Sequence, residues 1–206
     1  KQKELDSILK NINSKDDTHT ITIGSGIEGR NFKTTVNDSA GSVGKVIFNA
    51  VVTTDTLEVK AGTLENNAWL ITKGGSNNGT ISGTSSSPLG SAFILDGNTE
   101  TSIFDNNGSF TQKALSIQKG EFRTNADNLH LTESVLNSGV LTLTGGNLDT
   151  VISGSGNTQI KGNVRNDSGK MIAQNSVTIE NTASFTTAAD KVTTMYGISN
   201  AGNLNL

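Results

Sequence analysis

Asn77-Asn78-Gly79-Thr80-Ile81 is the stretch on which the fold turns, because its pattern returns four more times along the chain. An Asn or Asp, any residue, a glycine, any residue and a large apolar residue recur as Asn106-Asn107-Gly108-Ser109-Phe110 and Asn137-Ser138-Gly139-Val140-Leu141. They recur again as Asp167-Ser168-Gly169-Lys170-Met171 and Asn200-Ala201-Gly202-Asn203-Leu204. The glycines stand at 79, 108, 139, 169 and 202, so successive copies are 29, 31, 30 and 33 residues apart. Self-similarity at a period of this size marks a stacked architecture in which each repeat buries its apolar face on its neighbours.

The text around these copies is short, apolar and β-branched, broken by Gly, Asn and Ser. Thr20–Ile23, Val46–Phe48, Leu57–Val59, Leu129–Leu131, Val140–Leu143 and Val177–Ile179 read as strands. A second, looser motif runs Leu57–Leu64, Leu115–Phe122 and Leu141–Leu148, with a degraded copy at Val177–Phe185. In it a strand meets a glycine turn and then another inward apolar residue. Together these features predict an all-β parallel solenoid, each rung giving two or three short strands, with Asn and Gly at the corners because both tolerate a left-handed backbone. Thirty residues make either one large rung or one and a half smaller ones. A β-sandwich does not require a repeat, and propeller blades are longer and carry aromatic signatures missing here.

Composition agrees. Of 206 residues, 33% are hydrophobic and 17% charged, well below an ordinary globular domain. Gly, Ser, Thr and Asn make up nearly half of the chain. A narrow stacked column needs few apolar residues per rung, which leaves Ser, Thr and Asn for the outer faces. A net charge of −3 is small and of the wrong sign for a dedicated nucleic-acid binder. The absence of Cys excludes a disulfide framework and a thiolate metal site. No apolar run is long enough to span a membrane, so no membrane insertion by this segment is expected.

Residues 1–17 are expected to be an N-terminal cap or linker, and residues 18–206 the solenoid. Leu5, Ile8, Leu9 and Ile12 share one face of a short helix over residues 3–12, supported by the Asp6 and Lys10 pair. The chain begins with Lys1 and ends inside repeat-like text, and reads as a piece of a longer protein. Ile27-Glu28-Gly29-Arg30 spells a protease site used in expression work, here read as coincidence.

Thr56-Leu57-Glu58-Val59-Lys60-Ala61-Gly62-Thr63-Leu64, Asn77–Thr84 and Ile198–Leu204 resemble the passenger domains of bacterial autotransporters and related haemagglutinin-like adhesins. The resemblance covers residues 45–206. It implies a right-handed parallel β-helix, secreted or displayed at the bacterial surface. The family has no shared catalytic residues to carry over.

Few residues qualify for chemistry. Gly24-Ser25-Gly26-Ile27-Glu28-Gly29 matches the dinucleotide fingerprint, but the strand-like Asn31–Val36 follows where a helix is needed. Gly145-Gly146-Asn147-Leu148-Asp149 partly resembles a calcium-binding turn, in a single copy with Leu148 where a glycine belongs. His19 and His130 are the only histidines, and His130 is expected to point outward between Leu129 and Leu131. No catalytic, cofactor or metal residue is therefore assigned. The ligand-face candidates are Asp96, Asp127 and Arg123, with Lys119 and Asp190 beside them, because solenoid enzymes that cut polysaccharides align carboxylates and basic groups on one face. Trp69 joins them as a ring that stacks on sugar if exposed, although a packed position at a rung end or corner is expected. Phe104 and Tyr196 are the other large rings near turns. The triplets beginning at Asn37, Asn78, Asn107 and Asn166 arise freely in such text and do not indicate glycosylation.

The leading expectation is a structural or binding segment of a secreted or surface-displayed protein, serving adhesion, aggregation or spacing. Its partners would be a glycan, a host or bacterial surface protein, or a second copy of itself. The alternatives are a carbohydrate-active enzyme on the same scaffold, a secreted effector or toxin segment, and a filament-forming intracellular solenoid.

Overall fold

The computed structural model describes residues 45–83 and 90–206, together with the backbone of Thr20–Ile23 and Lys33–Val36. The segment 1–17, His19, the Gly24–Gly29 fingerprint, the Ile27–Arg30 tetrapeptide and the Asn37 triplet lie outside the described residues.

The chain winds as a three-sided parallel β-solenoid of about 8 turns. One rung consists of Lys45–Phe48, Val52–Thr54 and Thr56–Val59. The next consists of Thr63–Asn66, Trp69–Thr72 and Gly75–Asn77. Each strand pairs in parallel with its equivalent one rung on, which defines a first, second and third face in chain order. The second face has eight strands, from Val52–Thr54 to Val192–Thr194, and the third has nine, from Lys33–Val36 to Ile198–Asn200. The first face is divided. A six-stranded sheet ends at Leu129–Leu131, and a four-stranded sheet starts at Gly146–Asn147. The division falls at the 3₁₀ turn Ala126–Asn128: the next rung runs beside that turn, with Ala126 N–H donating to Gly145 O at 2.8 Å. All the strand readings made from sequence coincide with strands, and Lys33–Val36 is a strand where the dinucleotide fingerprint would need a helix.

The pairing register fixes the rung. Leu57, Gly75, Phe104, Phe122, Leu141, Thr158, Val177 and Ile198 form one inward column on the third face, at steps of 18, 29, 18, 19, 17, 19 and 21 residues. A rung is therefore 17–21 residues, apart from one longer excursion. Gly79 and Gly108 occupy the corner between third and first faces, one long rung apart. Gly139 lies between second and third faces, Gly169 between first and second, and Gly202 again between third and first. From Gly108 onward each copy of the motif advances one rung plus two faces, so thirty residues are one and two-thirds rungs. After that first interval the spacing is regular because corners of one chemistry are met in rotation, not because one corner repeats.

Alternation decides what is buried. Nearly every strand shows inward residues at every second position, as in Leu57 and Val59, Phe93 and Leu95, or Val177 and Ile179, all fully buried. Phe93 of the second face, Phe104 and Phe122 of the third and Phe110 of the first meet at the axis. Their ring centroids are 4.8 Å (Phe93–Phe104), 5.2 Å (Phe93–Phe110) and 5.4 Å (Phe104–Phe122) apart. Such pairs contribute about 0.5–1.5 kcal/mol each beyond their area burial.

Asn and Thr are not confined to the outside. Asn77 Nδ2 donates to Asn106 Oδ1 at 2.7 Å, and Asn106 Nδ2 donates to Thr124 Oγ1 at 2.9 Å, all three side chains being buried. Asn66 Nδ2 donates to Gln112 Oε1 at 2.8 Å at the next corner, and Asn137 Nδ2 to Gln174 Oε1 at 2.6 Å at the third. Stacked amides thus close each corner, where strand ends leave backbone groups without ladder partners. In the first motif copy Asn77 Oδ1 also accepts from Gly79 N–H at 3.1 Å, and Asn200 does the same for Gly202. The Asp167 copy departs from this: Asp167 is exposed, and Asn166 takes the buried position with Thr187 and Lys170.

Candidate functional site

The candidate carboxylates do not share a side of the solenoid. Asp96 ends the second-face strand Ala92–Asp96, at the corner with the third face. Asp127 lies in the turn between third and first faces, and Asp190 in the turn Ala189–Lys191 between first and second. Asp96, Asp127 and Asp190 follow Gly79, Gly108 and Gly169 by 17, 19 and 21 residues; the longer rung after Gly79 leaves Asp96 one face short of Asp127, and Gly169 starts from a different corner. All three are exposed. Asp127 Oδ1 accepts from Asn147 N–H of the next rung at 2.8 Å, and Asn125 Oδ1 holds Asp127 N–H at 2.9 Å. That carboxylate ties two rungs together.

Arg123 stands on the outer third face, two residues from Glu121 on the same strand. Its guanidinium forks onto Glu121, with Nε to Oε1 at 2.7 Å and Nη2 to Oε2 at 2.8 Å, and Asp105 of the rung before lies 3.8 Å away. Thr142 Oγ1 of the rung after donates to Glu121 Oε1 at 2.6 Å. The Arg123 hydrogen bonds hold the Glu121 carboxyl below its ordinary range; burial opposes this and the Thr142 bond assists it. Arg123 thus belongs to a three-rung outer ladder. Lys119 is a half-buried strand end whose carbonyl accepts from Gly97 N–H at 2.9 Å.

Trp69 is not packed at a rung end or corner. It opens Trp69–Thr72 with its side chain outward and 47% exposed, because the inward positions of that strand belong to Leu70 and Thr72. Phe104 is fully buried in the aromatic cluster and Tyr196 is 76% exposed. His130 points outward as its neighbours require. In the calcium-like stretch, Gly146–Asn147 is a strand, and Asp149 faces Lys170 at 3.4 Å. Hydrogen bonds from Ser168 first and Lys170 next lower the Asp149 carboxyl from its ordinary range. Among the described residues no three His, Cys, Asp or Glu side chains converge as a metal site would require. No helix among them is long and apolar enough to cross a membrane. Asn166 is buried with its amide engaged, whereas Asn78 and Asn107 are exposed and joined, Asn107 Nδ2 donating to Asn78 Oδ1 at 3.1 Å.

A different surface emerges on the second face. Its outward side chains include Trp69, Ile71, Ile94, Ala114, Leu136 and Val151, in adjoining rungs. The signal was present in the sequence. Trp69-Leu70-Ile71, Phe93-Ile94-Leu95 and Val135-Leu136 are consecutive apolar residues, and in a strand such runs must turn some of them away from the core. The first and third faces carry charged outward positions instead, such as the Lys45–Glu65 pair and the Glu121–Arg123 pair.

The fold defines the class of protein, a parallel β-solenoid whose described side chains offer extended faces. Comparison with family models, with curated proteins and with solved structures gives no match.

Proposed function

We propose that this chain is a structural or binding segment of a secreted or surface-displayed bacterial protein, serving adhesion, aggregation or spacing. The observation that carries the reading is the use of the outer side chains. Over successive rungs they form ladders with one another, as in Asp105, Arg123, Glu121 and Thr142, or Asn49 with Asn67, instead of gathering around one point. A surface of that kind supports many weak parallel contacts and gains strength by multivalency. Rungs about 4.8 Å apart make a rod on the order of 40 Å long over the turns present here, a suitable spacer. The resemblance of Thr56–Leu64 and Ile198–Leu204 to autotransporter passengers and haemagglutinin-like adhesins supports an extracellular or cell-surface location.

The test is binding in multivalent form. Beads coated with the chain are mixed with one another, with bacterial and host cells, and with an immobilised glycan panel. Clustering or retention that uncoated beads do not show is expected. Beads that neither cluster nor bind at any density would remove adhesion and aggregation and leave spacing alone.

A further inference from the structure

We propose that the outer second face is a self-docking surface, on which a second copy of this chain packs face to face. This deepens the aggregation reading and rests on that reading for its biological use. The strands concerned are Val52–Thr54, Trp69–Thr72, Ala92–Asp96, Ala114–Lys119, Ser134–Asn137 and Val151–Ser153.

Two outward columns cross them. One runs through Trp69, Ala92 and Ala114. The other runs Thr53, Ile71, Ile94, Ser116, Leu136 and Ser153, each directly beside the next. Leu136 is 53% exposed and Val51, at the start of the face, 41%. Among these strands charge appears outward only at Asp96 and Lys119, which end their strands at one edge. The pair Asp55–Lys73 at 2.7 Å flanks that edge, and Lys113–Glu133 at 3.3 Å flanks the other. An uncharged centre of apolar side chains interspersed with hydroxyls, between ionic edges, is the anatomy of a protein interface.

Charge and area choose the occupant. A twofold contact brings a patch against itself, so any charge at its centre would meet its own sign. Among the described residues the second face has the longest run of strands with a centre free of that penalty, and it carries Ile71, Ile94 and Leu136 there. Six strands about 4.8 Å apart and three to five residues wide give roughly 300–500 Å² per copy. Twice that is at or below the lower end of specific interfaces, so the contact is weak and acts through many copies at high local concentration. A contact of that strength suits molecules crowded on one surface better than a dilute partner.

The test uses the whole chain. Sedimentation equilibrium is expected to show a reversible dimer that Leu136→Lys weakens at least about tenfold, because two like charges then meet in an apolar centre. Ser116→Lys repeats the measurement should Leu136→Lys fail to fold. The chain has no native Cys, so Ser116→Cys at the middle of the face is expected to form a disulfide dimer about tenfold faster than Gln159→Cys on the third face. A monomer at millimolar concentration overturns the proposal, as do equal rates for the two cysteine variants. Bead clustering separates the two readings. Clustering that survives Leu136→Lys without a solution dimer removes this face and keeps aggregation. A dimer through Ser116 without clustering keeps the face and removes aggregation.

Discussion

Substituting Asn106 by Asp tests whether the corner amides act as a buried ladder. Asn106 Oδ1 accepts from Asn77 at 2.7 Å while its Nδ2 donates to Thr124 Oγ1 at 2.9 Å, and the residue is 2% exposed. Thr124 Oγ1 already donates to Asn125 O at 2.9 Å, so its hydroxyl hydrogen is committed. An ionised carboxylate at this position keeps the Asn77 bond but turns an acceptor toward an acceptor, in a site where the charge is poorly solvated. The protonated acid, by contrast, accepts through one oxygen and donates through the other, as the amide does. The folded-state pKa of the introduced group is therefore raised above its unfolded value of about 3.9. The variant's proton is held more tightly in the folded state, so its stability is close to wild type below the unfolded pKa and falls as pH rises toward the folded pKa. That preference for the protonated acid is expected to cost the variant about 3–4 kcal/mol at neutral pH. Urea unfolding of wild type and variant at matched pH from about 3 to 7 gives the difference directly. A difference that is small at pH 7, or that does not change with pH, would refute the ladder.

The remaining predictions concern packing and the outer ladder. Gly75 has φ +137° and a Cβ there would sit 1.8 Å from Leu57 O, so Gly75→Ala is expected to cost more than about 3 kcal/mol or to block folding. Gly197, with φ +93° and nothing within 4 Å, is expected to lose only about 1 kcal/mol on the same change, with thermal melts ranking the two. Phe122→Ala empties a position shared by three ring contacts and is expected to cost about 3–5 kcal/mol by denaturant unfolding; a loss under 1 kcal/mol would refute central packing there. Glu121 is held below its ordinary value of 4.5, so its contribution is present above that pH and lost as pH falls through the folded value. Glu121→Gln should flatten stability between wild type and variant in that acid window, and an unchanged pH profile would show that the Arg123 fork contributes nothing.

Much of the architecture was legible because it rests on local rules. Alternation in Leu57–Val59 or Val177–Ile179 names the inward residues, since a strand turns successive side chains to opposite sides. The glycine turns of the second motif behave as read: Gly62 and Gly120 have positive φ and are followed by the buried Leu64 and Phe122. The rung length was not legible. Register is set by hydrogen bonding between residues 17–29 apart, and the motif that repeats most visibly samples corners in rotation. For the same reason Asp96, Asp127 and Asp190 looked alignable by counting and lie at three corners. Asn77, Asn106 and Asn137 stand at corners as the motif predicts, but a sequence does not show that their amides turn inward and bond across rungs.

By itself, then, the sequence determined an all-β stack of short strands and the identity of most core residues. These follow from period-two alternation, Gly and Asn punctuation and composition. Only the tertiary structure decided which residues stand above one another. That depends on where each rung closes, and closure is a property of three faces meeting around a common core. It turned corner Asn side chains into buried ladders, left Trp69 half exposed on an outer face, bound Arg123 into an outer ladder, and gathered Ile71, Ile94 and Leu136 on one side.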